Sequence, residues 1–113
     1  MHDVANKVAL ITGGASGIGL GMAQVFIDAG MRVVIADVDA AALAQAHDSF
    51  GECRDLVLPV VLDVTDRDAW QRAATQAESA FGGVQVLCNN AGVTGYTGIL
   101  DLEPEDWDWV IEV

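Results

Sequence analysis

Four short apolar runs, separated by segments with helical spacing, constrain the fold of this 113-residue chain more than any other feature. The runs lack the polar and apolar alternation of a half-exposed strand, so we expect strands that are covered on both faces. They lie at Lys7–Thr12, Arg32–Asp37, Leu56–Asp63 and Val84–Asn89. Because helices connect successive strands by crossovers, the pattern predicts an α/β fold with a parallel sheet.

The spacing of apolar residues predicts four helices. The second begins after Asp39, and the fourth begins near Glu103-Pro104. The third has Thr65 as its expected N-cap. The apolar face of the first helix is predicted to contain Ile18, Met22, Val25, Phe26 and Ala29. The apolar face of the third is predicted to contain Trp70, Ala73, Ala74, Ala77 and Phe81.

The charge of the chain excludes several classes of partner. There are 17 acidic and 5 basic residues, which gives a formal net charge of −12. A nucleic-acid surface or an anionic membrane surface needs clustered basic residues, so neither partner is expected. The longest apolar stretch, Leu56–Leu62, is too short to span a bilayer. The first residues show no signal-peptide pattern, and this predicts a cytoplasmic protein.

The cysteines and histidines predict neither a disulfide framework nor a metal site. Cys53 and Cys88 form no Cys-x-x-Cys pair, and two thiols cannot build such a framework. His2 and His47 lie far from both cysteines and from each other in the sequence, which argues against zinc. Cys88 lies in an apolar run, so we interpret it as a buried core thiol.

A glycine-rich turn at Thr12–Gly19 follows the first predicted strand and opens the first helix. Gly13 would allow a sharp turn, Gly17 would leave room for a diphosphate, and Gly19 would let the helix pack closely on the strand. The free N–H groups and the dipole of such a helix attract an anion without a basic side chain. A chain with strong negative charge can therefore still be expected to bind a dinucleotide.

The carboxylate of Asp37, at the end of the second strand, refines this prediction. It can accept hydrogen bonds from both ribose hydroxyls of a dinucleotide and would repel a 2′-phosphate. Val38 follows it and no arginine lies nearby, so NAD is favoured over NADP. A P-loop is excluded because the sole lysine of the chain, Lys7, lies outside any Gly-Lys-Ser/Thr motif.

Taken together, three motifs resemble those of the short-chain dehydrogenase/reductase family. Thr12-Gly13-x-x-x-Gly17-Ile18-Gly19 is similar to the cofactor motif of that family, Asp63-Val64 to its adenine-contacting pair, and Asn89-Asn90-Ala91-Gly92 to its NNAG motif. The resemblance implies part of a Rossmann-type doubly wound parallel sheet with strand order 3-2-1-4 and an absent C-terminal half. Residues 1–113 would form the N-terminal part of a single dinucleotide-binding domain.

The same resemblance implies a set of NAD-binding residues. Those expected at the diphosphate and the adjacent ribose are Gly13, Ser16, Gly17, Ile18 and Gly19. Those expected at the adenine ribose and at adenine are Asp37, Asp63 and Val64. Those expected along the ribose side of the site are Asn90, Ala91 and Gly92. Asn89 is either part of the site or a purely structural residue.

The resemblance fails at the catalytic residues. The family uses a serine and a Tyr-x-x-x-Lys pair, but here the one tyrosine, Tyr96, is followed four residues later by Leu100, and the one lysine is Lys7. We therefore predict that no catalytic residue lies in this chain and that it has no turnover alone. Tyr96 is interpreted as an ordinary loop residue.

Three alternatives remain open at this point. In the first, the chain is the N-terminal part of a longer dehydrogenase, which would be a homo-oligomer and would transfer a hydride between NAD(H) and a small alcohol or carbonyl substrate. In the second, it is a non-catalytic NAD-binding sensor or subunit, which its abrupt end inside a helix disfavours. In the third, it is half of a split enzyme. The substrate cannot be identified from these residues.

Overall fold

Strands and helices alternate through residues 3–92 and 103–113, the part of the chain that the computed structural model describes. The elements are β1 (Val8–Thr12), α1 (Gly17–Asp28), β2 (Arg32–Asp37), α2 (Ala40–Ser49), a 3-10 turn (Gly51–Leu56), β3 (Val57–Val61), α3 (Arg67–Phe81), β4 (Val86–Cys88) and α4 (Pro104–Glu112). The predicted alternation is therefore confirmed. Among these residues, no helix has the length and apolar character needed to cross a membrane.

All four strands are parallel and form one sheet in the order β3-β2-β1-β4. This is the order that the family resemblance implied. In the register, β1 pairs with β2 from Val8↔Arg32 onward, and β1 pairs with β4 from Ala9↔Val86 onward. Pro59 lies in β3, an edge strand of this sheet. Proline has no N–H group to donate, and an edge strand has no neighbouring strand on its outer side that would need one.

The inner strands β1 and β2 are covered on both faces, since successive strand residues point to opposite sides. The expected coverage is wrong for the edge strands, where Val61 of β3 is 61% exposed and Leu87 of β4 is 51% exposed. One face packs against the small residues of α3, and the other packs against α1 and α2. The first core comprises Val8, Leu10, Val34, Ala36, Val60, Leu62, Ala69, Ala73 and Ala77. The second comprises Ile11, Ala15, Ala23, Ile27, Val33, Ile35, Leu43, Ala46 and Val57. The strands are thus held rigidly, and their carboxyl ends form a fixed edge.

The predicted apolar face of α1 is wrong by about one residue. The helix buries Gly19, Ala23 and Ile27, whereas Ile18 is 77% exposed and Val25 is 64% exposed. Small residues face the sheet because the start of α1 lies too close to the end of β1 for larger ones. The large residues Leu20, Met22 and Phe26 are only partly buried beside this contact.

The cap of α3 also differs from the prediction. The N-cap is Asp66, whose carboxylate accepts hydrogen bonds from the amides of Asp68 (2.9 Å) and Ala69 (3.2 Å). The hydroxyl of Thr65 instead donates to Asp63. Because the Thr65 hydroxyl is bound to Asp63, the next residue, Asp66, caps the helix; aspartate is also the more favoured N-cap.

Smaller differences concern individual side chains. On α3, Ala69 is buried while Ala74, assigned to the core from its spacing, is exposed. Cys88, expected to be buried, is half-buried in the shortened strand β4. The predicted cap of α2 is confirmed at Asp39, and the predicted start of α4 near Glu103-Pro104 is also confirmed.

Candidate functional site

A cleft of about 630 Å³ lies at the carboxyl edge of the sheet. Its walls come from the segments that follow all four strands and from the end of α4. They are formed by Gly13, Ser16, Ile18, Asp37, Val38, Leu62, Asp63, Val64, Thr65, Asn90, Ala91, Gly92, Trp109, Glu112 and Val113. In doubly wound sheets ligands bind at this edge, where the strand order reverses; here the reversal lies between β1 and β4.

All the residues predicted to bind the cofactor, except Gly17 and Gly19, line this cleft. Gly17 and Gly19 are the first and third residues of α1; Gly17 is exposed and Gly19 is buried. Gly13 and Gly17 have φ values of +65° and +55°, in the left-handed region that favours glycine. A Cβ atom on Gly19 would overlap the Gly13 carbonyl oxygen and lie 2.8 Å from Asn90 Nδ2, so only glycine permits this close approach.

Around Gly17 there is open space. Among the described residues, no heavy atom outside its immediate chain neighbours lies within 4 Å of the position that a Cβ would take. A side chain at Gly17 would therefore meet no protein atom but would occupy space beside the start of α1. This space fits the approach of a diphosphate, the role that the turn was predicted to have.

The N-terminus of α1 lacks the carboxylate cap of the other helices. Its N-cap, Ser16, makes no side-chain capping bond, and its first turn contains no acidic residue. The other three helices have Asp39, Asp66 and Glu103 as N-caps. The Ser16 side chain therefore leaves the first amides of α1 unbound, and an anion in the cleft would be stabilised there.

Asp37 connects the end of β2 to the glycine-rich turn. Its Oδ2 accepts a hydrogen bond from the amide of Ala15, and its Oδ1 accepts one from the amide of Asp39, both at 3.3 Å. Each carboxylate oxygen can accept more than one hydrogen bond, so capacity remains for hydroxyl groups of a ligand. The half-buried carboxylate is thereby aimed into the cleft.

The loop between β3 and α3 forms a second acidic wall. Asp63 Oδ1 accepts hydrogen bonds from the Thr65 hydroxyl (2.7 Å) and from the Thr65 amide (2.9 Å). These bonds favour the charged carboxylate and lower the pKa of Asp63 below its ordinary value. Asp63 is therefore ionised at neutral pH and acts only as a hydrogen-bond acceptor.

A buried hydroxyl joins β1 to the segment after β4. Thr12, only 2% exposed, accepts bonds from the amides of Asn90 and Ala91, both at 2.9 Å, and donates to the Cys88 carbonyl at 3.3 Å. Asn90 Nδ2 donates back to the Thr12 carbonyl at 3.1 Å. Asn90 therefore makes the cross-strand bonds, whereas Asn89 is exposed.

Sequence reasoning missed the wall that α4 contributes. Trp109, Glu112 and Val113 line the cleft. Their spacing of three and four residues places them on one helical face, a signal that was present in the sequence. Apolar spacing alone favours a different face, with Trp107, Val110 and Ile111, but Trp107 is 60% exposed and Ile111 is 66% exposed. Tyr96 lies outside the described residues.

Similarity to known proteins agrees with the geometry of the cleft. The family model for short chain dehydrogenases matches residues 7–113. The chain is 42% identical to C alpha-dehydrogenase of Sphingobium sp. strain SYK-6, covering 100% of the chain and 37% of that relative. It is also 42% identical to trans-4-hydroxycyclohexanecarboxylate dehydrogenase of Sinomonas cyclohexanicum, covering 97% of the chain and 45% of that relative.

Solved structures give the same result. LigO in its apo form, from Sphingobium sp. strain SYK-6, superposes with a TM-score of 0.94 at 44% identity, over 99% of this chain and 42% of that one. A short chain dehydrogenase/reductase of Burkholderia phymatum in complex with NAD gives 0.92 at 39% identity, over 100% and 40%. The chain thus spans less than half the length of these relatives, and it belongs to the short-chain dehydrogenase family.

Proposed function

We propose that the cleft binds the adenosine diphosphate part of NAD(H), and that the chain is the NAD-binding part of a dehydrogenase acting on an alcohol or carbonyl group. The observation that carries this proposal is the shared cleft. The uncapped N-terminus of α1 and the Asp37 carboxylate open into the same space, and Asp37 accepts a hydrogen bond from Ala15 in the turn that precedes α1. The Burkholderia phymatum relative, whose structure contains NAD, supports this proposal.

The residues of the cleft fit the separate groups of NAD. The first amides of α1, beside Ser16 and Gly17, suit the diphosphate, and Gly13, Ile18 and Gly19 shape that turn. Asp37 suits the hydroxyls of the adenine ribose. Asp63 and Val64 would contact adenine, and Asn90, Ala91 and Gly92 would lie along the second ribose. When bound, NAD⁺ would accept the hydride and NADH would supply it.

The preference for NAD over NADP rests on Asp37. A 2′-phosphate would stand close to its carboxylate, and the next residue, Val38, supplies no positive charge to compensate. Like charges at such a distance repel, and the repulsion is stronger at a half-buried site than in water. We therefore expect NADP to bind much more weakly than NAD.

Calorimetric titration of the chain and of one variant tests the cofactor assignment. Asp37→Ser should weaken NAD binding by about 10- to 100-fold, since a hydrogen bond to a charged group contributes about 1.5–3 kcal/mol. The same variant should reduce the ratio of NAD affinity to NADP affinity. Asp28→Asn, which changes an exposed carboxylate at the end of α1, serves as the matched control and should bind NAD like the wild type. Equal NAD affinity in Asp37→Ser would contradict the proposal.

Hydride transfer requires an acid–base group that we propose this chain does not supply. The tyrosine and lysine of the chain, Tyr96 and Lys7, do not form the Tyr-x-x-x-Lys pair of the family. General acid–base catalysis contributes about 10²- to 10⁴-fold to rates. Incubation with NAD and a panel of small alcohols should therefore produce no NADH, and measurable formation by material of confirmed intact mass would contradict this proposal. The cytoplasmic location and the homo-oligomeric state stay predictions.

A further inference from the structure

We propose that Trp70 is a positioning residue for the adenine wall of the cleft. Its indole N–H donates a hydrogen bond to the carbonyl of Val64 at 2.9 Å, and Val64 lies beside Asp63 in that wall. Trp70 itself does not line the cleft but lies on α3, behind the loop. The inference rests on the proposed function, because it concerns how that site is held in place.

The hydrogen bonds within the loop between β3 and α3 determine its shape but not its position. Asp63 accepts bonds from the amide and hydroxyl of Thr65, and the amide of Asp66 donates to the Asp63 carbonyl at 3.0 Å. All these bonds join residues within three positions of one another. They close a compact turn but do not bond it to the sheet or to the later turns of α3.

Two longer-range bonds fix the position of this turn. On one side, the amide of Leu62 donates to the Asp37 carbonyl at 2.8 Å, which ties the loop to the end of β2. On the other side, the Trp70 indole ties the Val64 carbonyl to α3. Asp63 lies between the two attachments, so its carboxylate keeps a fixed direction toward the cleft.

The Trp70 indole is a firm attachment because it is held by packing. Its side chain is half-buried against the core on the α3 side of the sheet, where Val64 also packs. Trp70 also lies just one helical turn beyond the Asp66 cap, and its own amide donates to the Asp66 carbonyl at 3.2 Å. The N–H group therefore comes from a rigid part of the molecule.

Removal of this bond would leave a partly buried carbonyl without its partner. A typical net contribution of such a bond corresponds to about 2- to 10-fold in an equilibrium constant. The loop would regain a partner only by turning the Val64 carbonyl toward water, and this movement would redirect Asp63. The effect should therefore fall on recognition of the adenine amino group rather than on the diphosphate.

A comparison of two dinucleotides isolates this effect. NAD carries an amino group on its purine, whereas nicotinamide hypoxanthine dinucleotide carries a carbonyl oxygen there, which the Asp63 carboxylate would repel. Wild-type chain should bind NAD more tightly than the analogue, and Trp70→Phe should reduce that preference by about 2- to 10-fold. Trp107→Phe, which changes an exposed tryptophan of α4 outside the cleft, should keep the wild-type preference.

The outcomes separate the inference from the proposed function. If the wild type binds neither dinucleotide, the proposed function is wrong. If the wild type prefers NAD and Trp70→Phe has the same preference, the proposed positioning role of Trp70 is contradicted. This holds even if the variant binds both dinucleotides more weakly. A merely structural residue would weaken both ligands equally and leave their ratio unchanged.

A measurement on the wild type covers the case in which Trp70→Phe does not fold. NAD should slow the solvent exchange of the Trp70 indole proton, observed by NMR, more than the hypoxanthine analogue does. The same exchange rate with both ligands, or with NAD and with no ligand, would contradict the inference.

Discussion

The N-termini of α1 and α3 lie at the same edge of the sheet but are completed differently. At α3, the Asp66 carboxylate accepts two amides of the first turn. At α1, Ser16 makes no capping bond and no acidic residue follows. The first amides of α3 are thus bound by a side chain of the protein itself, whereas the first amides of α1 have no side-chain cap. An anion in the cleft would therefore be stabilised by the start of α1 rather than by the start of α3.

The largest expected effect comes from adding a side chain at the close contact between the start of α1 and the residues that follow β1. In Gly19→Ala, the new methyl group would overlap the Gly13 carbonyl oxygen, so α1 must shift. Such overpacking costs about 1–3 kcal/mol of unfolding free energy, which urea denaturation measures. NAD binding should be lost together with this stability, since the same turn would hold the diphosphate.

A second glycine of the same helix provides the control. Gly21 is exposed, and among the described residues nothing outside the local chain lies within 4 Å of its Cβ position. Gly21→Ala should stabilise the chain by about 0.5–1 kcal/mol, because alanine favours helices. A Gly19→Ala variant as stable as Gly21→Ala would show that the close contact has no energetic importance.

The next effect comes from giving α1 the kind of cap that α3 has. Ser16→Asp should satisfy the first amides of α1 and place a negative charge where the diphosphate would lie. NAD affinity should fall by about 10-fold or more, from Coulomb repulsion at a partly exposed site. The unfolding free energy should not fall, because aspartate is as good an N-cap as serine. Calorimetry measures the NAD affinity and urea denaturation measures the unfolding free energy. Unchanged NAD affinity would contradict the claim that the uncapped start of α1 binds the diphosphate.

The smallest effect concerns the acidic loop before α3. In Thr65→Val, Asp63 loses the hydroxyl bond that is the main cause of its lowered pKa, so that pKa should rise toward the ordinary aspartate value. Carboxyl NMR titration measures the change. Thr75→Val, which removes an exposed hydroxyl of α3 bonded to Gln71, should leave the pKa of Asp63 unchanged.

The lowered pKa also gives the sign of a pH effect. A carboxyl whose pKa is lower in the folded than in the unfolded chain stabilises the fold above its unfolded pKa, and this contribution disappears as the pH falls through the folded value. Thr65→Val should therefore lose less stability than the wild type on acidification. A steeper loss of stability in the variant would contradict the assigned cause.

The sequence was sufficient for those parts of the site that depend on backbone chemistry. The left-handed turns at Gly13 and Gly17 need glycine wherever they occur, and Asp37 lies where β2 ends. The strand order was implied by the resemblance, since the apolar runs alone are compatible with several orders. Motif spacing also identified Asn90, although not the pair of bonds that it makes with Thr12.

The parts that could not be predicted depend on three-dimensional packing. The apolar spacing of α1 was dominated by Ile18 and Val25, but the close contact at Gly19 selects small residues for the buried face. The bond from Trp70 to Val64 joins a core side chain to a loop, and no spacing rule encodes it. The contribution of Trp109 to the wall depends on where the end of α4 lies in three dimensions, which helical spacing does not give.

The most direct test of the central claim is an NMR titration of the amide groups with NAD. The largest shifts are expected at the start of α1, at Gly17, Ile18 and Gly19, while the capped amides of Asp68 and Ala69 should stay unchanged. Equal shifts at the two helix starts, or no shift at α1, would contradict the claim that the uncapped helix holds the diphosphate.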